Sequence, residues 1–214
     1  MKHGWQNEVY ETTMALYEEG LIRTSAGNVS MRCPGSDWIA ITPTGVRYDE
    51  LEKDDIVFLH LTEDRREGDR KPSTEYLMHL SIYQNIPNIG GIIHTHSPYI
   101  LTFATLGEPI PMVTIEGLLS GSNMVPVTKR FSLPGTQDIA MDAIEIFQEK
   151  PELRALLLMN HGLLTVGETL PEALSLAESI EREAQVYYQA RTLGIPKTIT
   201  EEQQKAIVAN YKKG

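Results

Sequence analysis

Apolar positions along the chain switch between a helical and a strand period, and the switches predict the order of elements. Val9, Met14, Leu16 and Tyr17 belong to a first helix predicted over 9–19, ending near Gly20. Runs at 28–32 and 38–42 read as strands, joined by the turn-forming Pro34-Gly35-Ser36. The run DIVFLHL at 55–61 reads as another strand, and EDRREGDRK at 63–71 as an exposed charged loop. Ser73-Thr74-Glu75 then opens a helix toward Asn85. Ser73 or Thr74 supplies its N-cap, and Glu75 in the first turn suits the positive end of the helix dipole.

Further along, GIIHTH at 91–96 reads as a buried strand, and Pro98-Tyr99 starts a helix. Residues 136–148 are predicted helical, and 155–159 and 163–166 are strands flanking the turn Asn160-His161-Gly162. Leu174, Ala177, Ile180, Ala184 and Tyr187 form much of the apolar stripe of a long helix over 170–193. A short terminal helix follows from about Thr200. A strand-rich centre wrapped by helices predicts a three-layer α/β fold, and 214 residues suit one domain spanning 1–214.

Charge and composition narrow the partners. With 19 basic and 29 acidic side chains the formal charge is −10, a field that repels a nucleic-acid backbone. An anionic small substrate remains open, because a pocket needs only local donors. No apolar run is long enough to cross a bilayer. The opening MKHGWQNEVYETT lacks the apolar stretch of a secretory signal, so a cytoplasmic location is expected. Cys33 is the only cysteine, which removes intrachain disulfides and thiolate metal cages and leaves a buried or incidental thiol.

The strongest chemical signal is His94-Thr95-His96. Residues two apart on a strand project to one face, so both imidazoles can reach one ion. His161, on a turn made tight by Gly162, is the candidate third ligand. Catalytic zinc takes three protein ligands at about 2.0–2.1 Å through nitrogen and keeps an open position. Taken alone, an H-x-H pair is more often two surface or core histidines. His3, His60 and His79 are not read as ligands; His60 and His79 are expected to be packed or solvent-facing, with a contact from His79 to Glu75 four residues earlier as a lesser alternative. Glu75 is open between a helix-dipole role, a metal ligand and a base. The segments Ser25-Ala26-Gly27-Asn28, Thr42-Pro43-Thr44-Gly45 and Pro72-Ser73-Thr74-Glu75 are small, polar turns. Each alone is an ordinary turn or cap; converging, they would form a neutral phosphate cradle.

The ordered set S-A-G-N-V-S (25–30), I-T-P-T-G-V-x-Y (41–48), K-P-S-T-E (71–75), H-T-H-S (94–97), P-G-T (134–136) and N-H-G (160–162) resembles the class II aldolase/adducin family over nearly the whole chain. Within it, the bacterial L-fuculose-1-phosphate aldolase branch is most similar. The resemblance implies an α/β/α sandwich around a mostly antiparallel sheet, and a homotetramer of fourfold symmetry with sites at subunit interfaces. It implies zinc on His94, His96 and His161, with manganese, cobalt or iron as alternatives. Glu75 matches the catalytic glutamate, which also touches the resting metal. Ser25, Asn28, Thr44, Gly45, Ser73 and Thr74 match phosphate-binding positions.

The implied reaction splits a ketose 1-phosphate, like L-fuculose 1-phosphate or a deoxypentulose phosphate, into dihydroxyacetone phosphate and an aldehyde through an enediolate. Tyrosines serve the aldehyde end in that branch. Here Ile115 stands where one is expected, and Tyr211 is the candidate proton donor, with Tyr99 behind it. Ile115 suits a less polar aldehyde. Family decarboxylases and dehydratases share the chemistry. The ribulose-phosphate epimerases have aspartate in place of Glu75 and a second acid that Glu116 does not convincingly replace. The degraded histidine set of adducin-like binding modules is not found here.

Overall fold

The computed structural model describes residues 2–211, except for the side chains of Leu119 and Tyr211. Nine strands are present among them: β1 (Asn28–Arg32), β2 (Trp38–Ile41), β3 (Val57–His60), β4 (Arg66–Glu67), β5 (Gly91–Thr95), β6 (Ile110–Pro111), β7 (Met124–Val125), β8 (Ala155–Leu158) and β9 (Gly162–Gly167). Seven form one sheet in the order β4-β3-β2-β1-β5-β9-β8, and β6 pairs with β7 apart from it. Every pairing in the large sheet is antiparallel.

Six helices cover the two faces: α1 (Lys2–Glu18), α2 (Tyr76–Asn85), α3 (Pro98–Leu106), α4 (Gln137–Glu149), α5 (Leu170–Leu193) and α6 (Glu201–Tyr211). Period-two alternation divides the core between them. Ile39, Ile41, Ile92, Leu156, Leu164 and Val166 face Met78 and Ile82 of α2 and Ile139, Ile144 and Phe147 of α4. On the opposite face, Val29, Met31, Ala40, Phe58 and Ile93 meet Val9 and Leu16 of α1 and Leu170, Ala173 and Ala177 of α5. Further along α5, Leu176, Ile180 and Ala184 pack with Ile100 and Phe103 of α3 and with Leu157 and Leu163. The expected three-layer sandwich is present. No helix among the described residues is long and apolar enough to cross a membrane.

Several boundaries differ from expectation for local reasons. The first helix starts at Lys2 rather than 9, because Trp5 packs edge-on against Phe58 at 6.5 Å and gives this polar segment an anchor. The strand expected over 55–61 is preceded by a 3-10 turn, Lys53–Asp55, held by reciprocal contacts between Glu52 and Asp55. Within the charged loop, Arg66 and Glu67 form a short edge strand on β3, where exposed charges deter further strand pairing. Neither Ser73 nor Thr74 is the N-cap of α2. Glu75 occupies that position with its side chain turned away from capping, while Ser73 Oγ accepts from the Glu75 amide at 3.3 Å. Burial of Cys33 pushes its thiol up to about 12, consistent with an inert core residue.

Candidate active site

Strand β5 is central, and its neighbours β1 and β9 position the site. His94 is in register with Asn28 on β1 and Leu164 on β9. Its ring shares the face of Ile92, toward α2. His94 Nδ1 lies 2.8 Å from the Leu163 carbonyl oxygen, an acceptor only. Nδ1 therefore carries the hydrogen, and Nε2 presents its lone pair.

The other imidazoles meet that lone pair. His96 Nε2 is 2.8 Å and His161 Nε2 3.3 Å from His94 Nε2. His161 rides the turn between β8 and β9, where Asn160 takes a left-handed φ of 56° and donates its amide to the Ala104 carbonyl at 2.9 Å. Gly162 follows because nothing larger fits: a Cβ there would sit 2.3 Å from the Thr95 carbonyl oxygen, 2.9 Å from His96 and 3.0 Å from His94. Glu75 closes the cluster, with Oε2 3.3 Å from His94 Nε2 and Oε1 3.2 Å from His161 Nε2. The ligand atoms of Glu75, His94, His96 and His161 all lie within 4.8 Å of one another.

These groups fit a divalent cation. Burial pushes His94 down to about 3, helped by His96 and opposed by the Leu163 carbonyl. Burial also lowers His96 and His161. Neutral rings keep the lone pairs that a metal requires, yet lone pairs turned on one another repel unless something positive lies between them. Glu75 Oε1 is buried and makes no hydrogen bond among the described residues, although His161 Nε2 lies 3.2 Å away. A cation satisfies both observations. Imidazoles plus a carboxylate suit zinc, and also manganese, cobalt or iron.

The three small turns are tied together beside this cluster. The Thr44 amide donates to the Lys71 carbonyl at 3.0 Å and the Ser73 amide to the Thr42 carbonyl at 2.9 Å, which sets Thr44 next to Ser73. Tyr48 holds the first turn, donating its amide to the Thr24 carbonyl at 2.8 Å and its hydroxyl to the Gly27 carbonyl at 2.6 Å. Gly27, at φ 90°, lets that turn approach β5: a Cβ would lie 2.7 Å from the His94 carbonyl oxygen. Thr44, Ser73 and Thr74 line a cleft of about 550 Å³ together with residues of the charged loop, the basic Arg65, Arg66 and Lys71 and the acidic Glu63 and Asp64. Gly45 and Ser25 are exposed, and Asn28 is buried. Tyr211 ends α6, and its side chain lies outside the described residues.

Three groups take roles beyond those expected from the sequence, although packing of His79 and a link from it to Glu75 were among the expectations. His79 is fully buried and central: its ring lies between Asn28 and Ser30, while Asn28 Nδ2 donates to Glu75 Oε2 at 2.8 Å. Burial pushes His79 down to about 3, against the pull of the Glu75 charge, so the ring is neutral. The spacing was legible, since Glu75, His79 and Tyr83 recur every fourth residue from the N-cap of α2 onward. The second is Glu181, which receives the Ser97 hydroxyl and the Tyr99 and Ile100 amides, fixing the exit from the H-T-H-S segment. The third is Glu183, fully buried, which accepts from the Val113 and Thr114 amides and the Thr114 hydroxyl. It anchors the loop on which Ile115 is 52% exposed. Tyr99 instead packs against Tyr188.

The profile of the Class II Aldolase and Adducin N-terminal domain matches residues 7–188. A 5-deoxy-D-ribulose 1-phosphate aldolase of Bacillus thuringiensis is 34% identical over 206 residues, 96% of this chain and 94% of that protein. A 5-methylthioribulose-1-phosphate/5-deoxyribulose-1-phosphate aldolase of Rhodospirillum rubrum is 29% identical over 99% of this chain and 91% of its own length. A solved L-fuculose 1-phosphate aldolase is similar at a TM-score of 0.90 and 30% identity, covering 98% of this chain and 96% of that one. With most of its length matched by the profile, the chain belongs to the class II aldolase and adducin family.

Proposed function

We propose that this protein is a metal-dependent aldolase that splits a ketose 1-phosphate between C3 and C4 into dihydroxyacetone phosphate and an aldehyde. The observation that carries the reading is the carboxylate of Glu75 set within 3.3 Å of two of the convergent imidazoles. His94, His96 and His161 hold the ion, zinc by preference, with Glu75 as its resting partner. When bound, the ion supplies electrophilic polarisation of the substrate's carbonyl and neighbouring hydroxyl oxygens.

The chain's own groups do the rest. Ser25, Asn28, Thr44, Gly45, Ser73 and Thr74 bind the phosphate and so place C3 next to Glu75. Ser73 Oγ already accepts from the Glu75 amide, which leaves its own hydrogen free for a phosphate oxygen. As the C3–C4 bond breaks, the C4 hydroxyl gives its proton to a base at the aldehyde end, the role assigned to the Tyr211 oxygen in its deprotonated form, becoming the aldehyde carbonyl, and the bonding pair stays on C3. Glu75 delivers a proton to C3, and in the condensation direction removes it. Oε1, the oxygen without a hydrogen bond, is the atom assigned to carry that proton. Tyr211 is assigned to the aldehyde end.

A 5-deoxypentulose 1-phosphate is the favoured substrate, with L-fuculose 1-phosphate second. The apolar Ile115 and the substrates named for the Bacillus and Rhodospirillum relatives support this order. A fourfold tetramer and a cytoplasmic location, both expected from the sequence, complete the proposal. Metal analysis of the purified protein, followed by assay of dihydroxyacetone phosphate release from a panel of ketose phosphates, tests the reading. Cleavage of the deoxypentulose phosphate no better than of fuculose phosphate would remove the substrate order, and release from none would remove the activity.

The phosphate assignment has its own test. Ser73→Ala is expected to raise KM for the phosphorylated ketose by about tenfold, the loss of one hydrogen bond to a charged group, and to leave the dephosphorylated analogue nearly unaffected. Equal changes for the two substrates would count against the cradle.

A further inference from the structure

The buried polar stripe on α2 has a definite direction. Glu75 Oε2 only accepts, so Asn28 turns its NH₂ toward it, at 2.8 Å. Asn28 Oδ1 then faces His79 Nε2, which must carry the ring's hydrogen. A neutral ring has one such hydrogen, so Nδ1 accepts from the Ser30 hydroxyl at 2.6 Å, and Ser30 Oγ in turn accepts from Tyr83 Oη at 2.9 Å. Each donor meets an acceptor from Tyr83 through to Glu75, and reversing any member would set like against like. All five residues are buried.

Their placement follows from the two elements they occupy. Asn28 and Ser30 lie two apart on β1, hence on one face, and Glu75, His79 and Tyr83 lie four apart along α2. An asparagine amide has no intrinsic preference between its two ends, and only its partners choose one. Without His79, Asn28 Oδ1 loses its buried donor, and the amide is held only by the carboxylate it is meant to hold in place.

We propose that His79 is a positioning residue, anchoring the Asn28 amide that donates to Glu75 and thereby holding the carboxylate in register with C3 of the substrate. Ser30 and Tyr83 fix the tautomer that His79 needs. The inference rests on the assignment of Glu75 as the proton carrier.

The test follows proton transfer alone: deuterium uptake at C3 of dihydroxyacetone phosphate in D₂O by the zinc-loaded full-length protein, with zinc content and thermal midpoint measured alongside. His79→Leu is expected to lower kcat for exchange roughly 10–100-fold, with zinc content little changed. His79→Gln, whose amide restores a donor toward Asn28, is expected to recover most of that loss. In an Asn28→Ala background His79→Leu should cost nothing more, because its effect passes through Asn28. Ser30→Ala keeps the ring and removes only its donor, and should slow exchange several-fold even if His79→Leu does not fold.

Wild-type exchange in His79→Leu, or in Ser30→Ala where the former does not fold, would overturn the proposal. So would losses at His79 and Asn28 that multiply independently, or a His79→Leu protein short of zinc but normal per bound ion. Glu75→Gln separates the two readings. If it exchanges normally, the carboxylate assignment falls and this inference with it. If it is inactive while His79→Leu is normal, only the positioning role falls.

Discussion

Glu75→Gln is expected to keep its metal and lose about 10²–10⁴-fold in turnover, the contribution of a positioned acid–base group. The substitution conserves shape and an oxygen for Asn28 Nδ2, and leaves His94, His96 and His161 untouched. What disappears is the capacity to carry a proton. Metal analysis and dihydroxyacetone phosphate release on the same sample check both halves. Near-normal rates would return Glu75 to a purely structural place.

His161→Ala is expected to produce the opposite pattern: metal content falls sharply and activity falls with it. Two imidazoles from one strand and a single carboxylate make a poorer site than the full set. The fold should survive, because the turn is held by its backbone, with the His161 amide donating to the Leu158 carbonyl at 3.0 Å. Circular dichroism beside metal stoichiometry separates loss of the ion from loss of the protein. Unchanged stoichiometry would place the third ligand elsewhere.

Much of this was legible in the sequence, and the reasons differ by residue. His94 and His96 are two apart in a run that reads as a strand, and a period of two puts them on one face, although β5 itself ends at Thr95. Spacing made His161 a candidate and the family resemblance made it the expected third ligand, but the β9–β5 pairing that brings it there is a long-range choice seen only in the structure. The three-layer arrangement likewise came from patterning plus resemblance, while strand order needed the coordinates. His79 is packed, one of the two expectations for it, and its link to Glu75 runs through Asn28, a partner that spacing along α2 does not reveal. Glu181 and Glu183 were hidden for a related reason. Charged residues in a long helix normally read as its solvent side, and these two are recruited by loops that approach from elsewhere.

Glu183 grips the base of the 113–117 loop while Ile115 extends outward, and Gly162 is wedged between imidazoles with no room for a methyl group. On the proposed reading, the two regions have opposite tolerance to variation. Libraries seeking new aldehyde acceptors belong at 115 and 116, where side chains can be exchanged without touching the ligand scaffold. Randomising 160–162 would mainly yield proteins that cannot load an ion, so selectivity and cofactor retention can be engineered separately.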